Sequence, residues 1–430
     1  MRYSVAEWHG DCVATFRFLH CADLHLDSPL RGLEADPDAP ADAIRRATRQ
    51  ALINLVDYAI ARRVDFVVAA GDLYDGDWQD WRTGQFLIGQ IARLSNAGIP
   101  LIGIRGNHDA ESVITRRLRM PGDSARLLDH RRAETYRLPG LPVSIHGQSF
   151  ATRAVTDNIA LAYPAPDPDR FNIGLLHSSV GERELHDNYA PCSVAQLSGH
   201  GYDYWALGHV HAQEVLARDP WIVFPGNLQG RHINETGAKG AMLVTVTDGH
   251  IDDALFIPFD TVRWARVDVR LAEDAGEDAA LTQVRTELAT AYEQGEGRLL
   301  AARIALSGAC AAHETFSGDL GAAREKIRTE ALSIAGPGMI WIERIDFSTT
   351  RPGSREAMDD RQDAIGALIR ALRAADGNDI AAEVRTYAGA MLDKASPLRQ
   401  AIGPEHAAQS QDVGDLVHRA RDLLLGMLGE

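Results

Sequence analysis

Cysteine is scarce. The four residues Cys12, Cys21, Cys192 and Cys310 lie far apart in a chain of 430 and form neither a CxxC pair nor a disulfide framework, which fits a reducing compartment. Long apolar runs are missing too. No stretch is long and apolar enough to cross a bilayer, and the opening MRYSVAEWHGDCVATF lacks the charged and then apolar regions of a signal peptide. The expectation is a cytoplasmic protein with no membrane attachment. Positive charge is in deficit: with 44 Lys and Arg against 60 Asp and Glu, the net charge of −16 excludes a chain that grips nucleic acid by bulk electrostatics alone. A polyanionic substrate would have to be met by metal ions, a local basic patch or a partner. Disordered and low-complexity stretches are also absent, and the length is too great for one compact core.

What is present is a repeated pattern over the first 260 residues, in which a short apolar run ends in a loop rich in Asp, His, Asn and Gly. The runs are FRFLHCAD, VDFVVAAGD, IPLIGIRGN, VSIHGQSF, FNIGLLHSS, YDYWALGHV, WIVFPGN and AMLVTVTDG, and they read as strands feeding functional loops. Ile44, Ala47, Ala51, Leu52, Leu55, Ala59 and Ile60 recur at helical spacing between the first two, and TGQFLIGQIARLSNAG gives a second helix ending at Gly98. Strand, helix, strand, helix, strand implies a parallel core with right-handed crossovers. The later runs arrive with less helix between them, which favours a mixed or double sheet over a single Rossmann-type sheet. After about residue 260 the Asp/His loops stop. Two helical stretches alternate with RLLAARIAL and MIWIERIDF up to about 350, a small α+β domain, and from 354 the chain reads as helices. The last of these, VGDLVHRARDLLLGMLGE, has one broad apolar face that suits packing within its own domain and docking of a partner equally well.

The loops carry the chemistry. Asp23 and His25 stand two apart after the first run, where strand geometry would turn both to one face. GDLYD brings Asp72 and Asp75, GNHDAE brings Asn107, His108 and Asp109, LLHSS brings His177, and GHVH brings His209 and His211. Ends of neighbouring parallel strands converge on one rim, where open α/β sheets place ligands. The donors are oxygen and imidazole nitrogen without thiolate, a set suited to Mn²⁺, Fe²⁺ or Zn²⁺. Their number exceeds the needs of one ion, and two ions bridged by a carboxylate would use them all. Asp72, after a glycine on the central strand, is the natural bridge. Singly each motif is common; five in this order, each after a strand, are not.

The order D-x-H, G-D-x-x-D, G-N-H-D, H, G-H-x-H resembles that of the calcineurin-like metallophosphoesterases. HCADLHLDSPLRGL, GDLYD, RGNHD, LLHSSVG, NYAPCS, GYDYWALGHVH and FPGNLQGRHINETGAKG further resemble the SbcD-type DNA repair exonucleases, the YhaO-like branch in particular, over about residues 16 to 260. The resemblance implies a four-layer α/β/β/α sandwich over 16–260 after an N-terminal extension (1–15), an α+β capping domain (261–350) and a helical C-terminal region (354–430) that docks an ATPase. It implies two divalent ions, Mn²⁺ foremost, with Fe²⁺, Zn²⁺ and Mg²⁺ as alternatives. Asp23, His25, Asp72 and His211 would hold one, and Asp72, Asn107, His177 and His209 the other. His108 would approach the scissile phosphate, with Asp109 orienting its imidazole.

The activity so implied is a metal-dependent exonuclease acting on DNA phosphodiester bonds, with an SbcC- or YhaN-like coiled-coil ATPase and a homodimer as expected partners. The alternative is a small-molecule phosphodiesterase, cleaving cyclic nucleotides or nucleotide diphosphates with the same centre. Among the neighbours, Asp75 reads as ordering its loop rather than binding metal. Arg105 suits a phosphate contact or plain solvation equally. His186, Asn188 and His232 are candidates to line a substrate groove, and Tyr74 and Trp78 to stack on a base, each against the plainer reading of a polar loop or packing residue.

Overall fold

A computed structural model describes residues 15–28, 39–75, 81–111, 124–181, 189–352, 366–367 and 371. His186, Asn188, Trp78, Cys12 and the N-terminal extension before Thr15 lie outside the described residues, as does the region from 354 onward apart from 366, 367 and 371.

Two six-stranded sheets face each other. The first contains β1 (Thr15–Cys21), β2 (Phe66–Ala70), β3 (Leu101–Ile104), β4 (Ala125–Leu127), β11 (Gly240–Thr247) and β12 (His250–Pro258), in the order β12-β11-β1-β2-β3-β4. The second contains β5 (Glu134–Arg137), β6 (Val143–Gly147), β7 (Phe171–His177), β8 (Tyr204–Gly208), β9 (Glu214–Arg218) and β10 (Trp221–Phe224), in the order β5-β6-β7-β8-β10-β9. β1, β2, β3 and β4 run parallel, as do β6, β7, β8 and β10.

Alternation along the strands builds the layers. Phe16 and Phe18 of β1 point between the sheets and meet Phe66, Phe171 and Tyr204, with the Phe18 and Phe66 rings stacked 5.0 Å apart. Leu19 and Cys21 point the other way, onto helices α1 (Ala41–Arg62) and α2 (Trp81–Asn96). These positions differ by odd steps along the strand, as a pleat requires. On the outer face of the second sheet, Trp205, Leu207, Ile222 and Phe224 pack under Tyr163, Leu197 and the short turns around them. The result is a four-layer α/β/β/α sandwich.

A third sheet of three parallel strands, β13 (Val262–Arg270), β14 (Leu299–Ala309) and β15 (Ile340–Thr350), has its own core. Helices Glu277–Gln294 and Leu320–Ala335 connect the strands, and Val284, Leu288 and Ile327 are buried with Val269, Ile304 and Leu306. It joins the sandwich through Trp264 and Trp341, which pack with Ile44, Ala47 and Ile233. Among the described residues no helix is long and apolar enough to cross a membrane.

A candidate metal centre at the pooled rim

The loops after β1, β2 and β3 leave one edge of the first sheet, and those after β7 and β8 leave the facing edge of the second. The β1 and β2 loops are zipped together by Asp23 N–H to Gly71 O (3.0 Å), His25 N–H to Asp72 O (3.1 Å) and Leu26 N–H to Leu73 O (3.2 Å). Asp23 and His25 lie beyond the strand, which ends at Cys21, and their backbones have φ of 51° and 40°. The pleat expected to turn both to one face is therefore absent, and left-handed loop backbone does that work. Asp72 (φ 50°) and His209 (φ 100°) share this conformation. Non-glycine residues adopt it only when surrounding structure holds them there, and functional sites are where such residues gather.

All seven expected ligands meet at this rim. Donor atoms of Asp23, His25 and His211 lie within 4.8 Å of one another, and so do those of Asp23, Asp72 and His177 and those of His25, Asp72 and His108. Asp72 is shared: its Oδ2 lies 3.4 Å from His177 Nε2 and 3.8 Å from His25 Nε2, between the two groups. Asn107 Oδ1 is 2.8 Å from His177 Nε2. The backbone N–H of His209 donates to both oxygens of Asp23 (3.1 and 3.0 Å), and its ring meets that of His177 at 5.3 Å. Gly106 permits the crowding, since a Cβ there would sit 2.2 Å from Asp72 Oδ1.

The donor set fits divalent cations. Asp23, His25, Asp72, Asn107 and His177 are all buried, and His25 Nε2 faces His211 Nε2 at 3.1 Å, a gap that a proton or a cation fills. Both ring nitrogens of His177 face oxygen, Nδ1 at Ala70 O (2.9 Å) and Nε2 at Asn107, an arrangement a proton or a cation on Nε2 satisfies. The charges lean the same way. Burial pushes Asp23 up to about 7, helped by the nearby Asp72 carboxylate. Asp72 is held well below the usual carboxylate range despite its burial, by His177, His108 and His25. Burial alone would lower His177, but Asp72 and Asp23 carry it up to about 9. Two buried carboxylates this close call for positive charge between them.

The partner of His108 differs from expectation. Asp109 does not orient that ring; its carboxylate accepts the backbone N–H groups of Leu73 (3.0 Å), Tyr74 (3.0 Å) and Gly106 (3.1 Å) and so ties the β2 loop to the β3 loop. Asp75 takes the orienting position, with Oδ1 2.9 Å from His108 Nδ1. His108 and Asp109 are successive residues of a short helical turn, Asn107–Glu111, where neighbours in sequence do not face each other, so adjacency in sequence did not become adjacency in space. Asp75 also accepts from Ser28 Oγ, so loop ordering and ring orientation fall to one carboxylate.

Other candidates lie outside the donor cluster. Arg105 lines a cavity of about 210 Å³ with Asp109, Ala110, His130, Phe150 and Ala151. His232 is on the rim of the next loop, with Nε2 3.6 Å from Glu235 Oε1. Tyr74 is buried in the core under α1 and α2, which favours packing over base stacking. Two rim residues had not been singled out. Glu235 accepts from His211 Nδ1 at 2.8 Å, and Arg231 pairs with Glu235 at 2.8 Å while reaching within 3.7 Å of Asp75. The only sequence signal for them is their place in GRHINETG.

Two facing sheets with His, Asp and Asn donors pooled on one rim define a class, the metal-dependent hydrolases. Comparison narrows it. Residues 16–213 match the calcineurin-like phosphoesterase model, and residues 264–350 match the middle domain of metallophosphoesterase YhaO. An uncharacterized metallophosphoesterase YhaO of Bacillus subtilis (strain 168) is 34% identical over 290 residues, which cover 65% of this chain and 69% of that protein. The chain belongs to the calcineurin-like metallophosphoesterases, hydrolases of phosphoester bonds whose members bind two divalent metal ions. Among solved structures, TT1561 of Thermus thermophilus is similar at 15% identity and TM-score 0.32 over 54% of this chain and 98% of that one. A dimetal phosphatase from Danio rerio is similar at 13% identity and TM-score 0.33 over 57% and 99%. At such scores they add nothing to the fold read from the strand order.

Proposed function

We propose that the protein is a metal-dependent DNA exonuclease of the SbcD kind, working in DNA repair in the cytoplasm with an SbcC- or YhaN-like ATPase. The observation that carries this reading is the set of SbcD-like flanks around the five motifs. FPGNLQGRHINETGAKG is the longest of them. The third sheet agrees with it, because it is fastened to that flank beside the rim and would be superfluous for a small substrate: Trp264 Nε1 donates to Gly230 O (3.0 Å) and Arg266 donates to Asn234 Oδ1 (2.6 Å).

In this reading Asp23, His25, Asp72 and His211 would hold one ion and Asp72, Asn107, His177 and His209 the other. Mn²⁺ is the first choice for both. Bound there, two such ions would supply positive charge for the phosphate oxygens and a more acidic water. His108, steadied through Nδ1 by Asp75, presents Nε2 to the leaving or nonbridging oxygen. The ATPase supplies the grip on DNA that a chain of net charge −16 lacks, and the region from 354 onward is its docking segment. Truncation at residue 353 is expected to abolish co-purification with the ATPase; retained co-purification would remove the docking role.

A second reading, a small-molecule phosphodiesterase with the same centre, is favoured by that acidic balance. Purified protein with Mn²⁺ is to be tested on end-labelled linear duplex DNA, a closed single-stranded circle and bis-p-nitrophenyl phosphate, with His108→Ala as control. The nuclease reading expects DNA degradation that falls about 10²–10⁴-fold in the variant. Turnover of the diester with DNA untouched, even with the ATPase added, would favour the second reading.

A further inference from the structure

We propose that Glu235, braced by Arg231, is a positioning residue that sets which ring nitrogen His211 offers to the rim; the proposal rests on the reading of that rim as a metal centre. Glu235 is buried at 5% exposure. Its carboxylate accepts from His211 Nδ1, Asn227 Nδ2, the Arg231 backbone N–H and Arg231 Nη2, each at 2.8 Å. A buried carboxylate with four donors has little freedom to reorient, and three of those donors belong to its own loop. The fourth is a rim histidine 24 residues away, on the other side of β10.

The consequence is a tautomer. His211 Nδ1 faces both Glu235 Oε1 at 2.8 Å and Arg231 Nη2 at 3.2 Å; the shorter contact is to a carboxylate, which only accepts, so the proton belongs on Nδ1 and the lone pair on Nε2, the nitrogen that faces His25 Nε2 at 3.1 Å within the Asp23, His25 and His211 group. The same loop holds the His211 backbone. Lys239 Nζ donates to the His211 carbonyl at 2.7 Å, and a Cβ at Gly226 would lie 3.0 Å from that oxygen. His177 is oriented differently, by the Ala70 carbonyl. Only one of the two proposed ion positions therefore depends on Glu235. Carboxylates that orient a ligating histidine in this way are worth about 10–100-fold in metal affinity.

The test is equilibrium binding of Mn²⁺ to the full chain by calorimetry, comparing wild type with Glu235→Gln, which keeps the volume and one acceptor but removes the charge. One of two ions is expected to bind about 10–100-fold more weakly in the variant while the other is unchanged. Two ions bound with wild-type affinities would overturn the proposal and leave the metal reading standing. A wild-type chain that takes up no ions would overturn both. Imidazole ¹⁵N NMR of the wild-type protein tests the geometry independently of how the variant folds. His211 is expected to carry its proton on Nδ1, and a proton on Nε2 would overturn the proposal.

Discussion

Asp75 and Asp109 are two carboxylates within reach of one loop, and their partners separate their tasks. Asp109 satisfies three backbone N–H groups in a buried place, so Asp109→Asn should leave donors unmatched and lower stability. Each such bond to a charged group is worth about 1.5–3 kcal/mol, a loss readable by urea unfolding. Asp75→Asn should instead lower kcat on bis-p-nitrophenyl phosphate, by part of the roughly 10²–10⁴-fold that a general acid contributes, with a smaller drop in the unfolding midpoint than Asp109→Asn. The seven rim donors could be read from sequence because their chemistry is in their identity. Which carboxylate meets His108 could not, because a partner 33 positions back is chosen by packing alone. Away from the rim, His20 is buried between the sheets against Tyr204 Oη (3.0 Å) and Leu207 O (3.1 Å), and burial lowers it from 6.5 to about 3. A depressed histidine contributes stability that is full above pH 6.5 and is lost as pH falls toward 3. Unfolding free energies measured between pH 7 and 5 should therefore fall, and His20→Gln should flatten the slope by up to about 1.4 kcal/mol per pH unit; an unchanged slope would count against a neutral His20.

At the scale of elements, the rim depends on backbone that no side chain can imitate. Gly106 lies against Asp72, and Gly106→Ala would force apart the carboxylate at the centre of both donor groups. The expected outcome is a folded protein by circular dichroism that has lost high-affinity Mn²⁺ uptake; unimpaired uptake would show that Asp72 can shift at no cost. The eight apolar runs all became strands, and the two helices read between the first three of them formed close to their expected bounds. Four strands of the two large sheets were not visible beforehand, β4, β5, β9 and β12, and neither was β13 at the edge of the third. The first four are the four edges of the two large sheets. Edge strands are covered on fewer sides and carry charge, so β12, HIDDALFIP, and β9, EVLAR, are half-exposed along most of their length, and the few apolar residues they turn inward, such as Ile251, Phe256 and Val215, make a weak signal.

For the whole molecule, the segment from Gly226 to Lys239 joins the metal rim to the third sheet. One side of it holds His211 through Glu235 and Lys239, and the other is held by Trp264, whose ring donates to Gly230 and whose carbonyl accepts from Gly237 (3.1 Å). Gln229 adds a bond to the Val262 carbonyl at 2.7 Å. Loosening the far side should be felt at the near one. Trp264→Ala is expected to cost about 3–5 kcal/mol of stability and to weaken Mn²⁺ binding as Glu235→Gln does, whereas Trp264→Phe should keep most of both. Calorimetry on the two variants separates a transmitted effect from local loss of packing.

The central claim is that the pooled rim holds two ions about a shared Asp72. Anomalous diffraction at the manganese edge from crystals grown with Mn²⁺ tests it directly. Two peaks flanking Asp72, one beside His25 and His211 and one beside His177 and His209, are predicted. A single peak, or peaks away from Asp72, would contradict it.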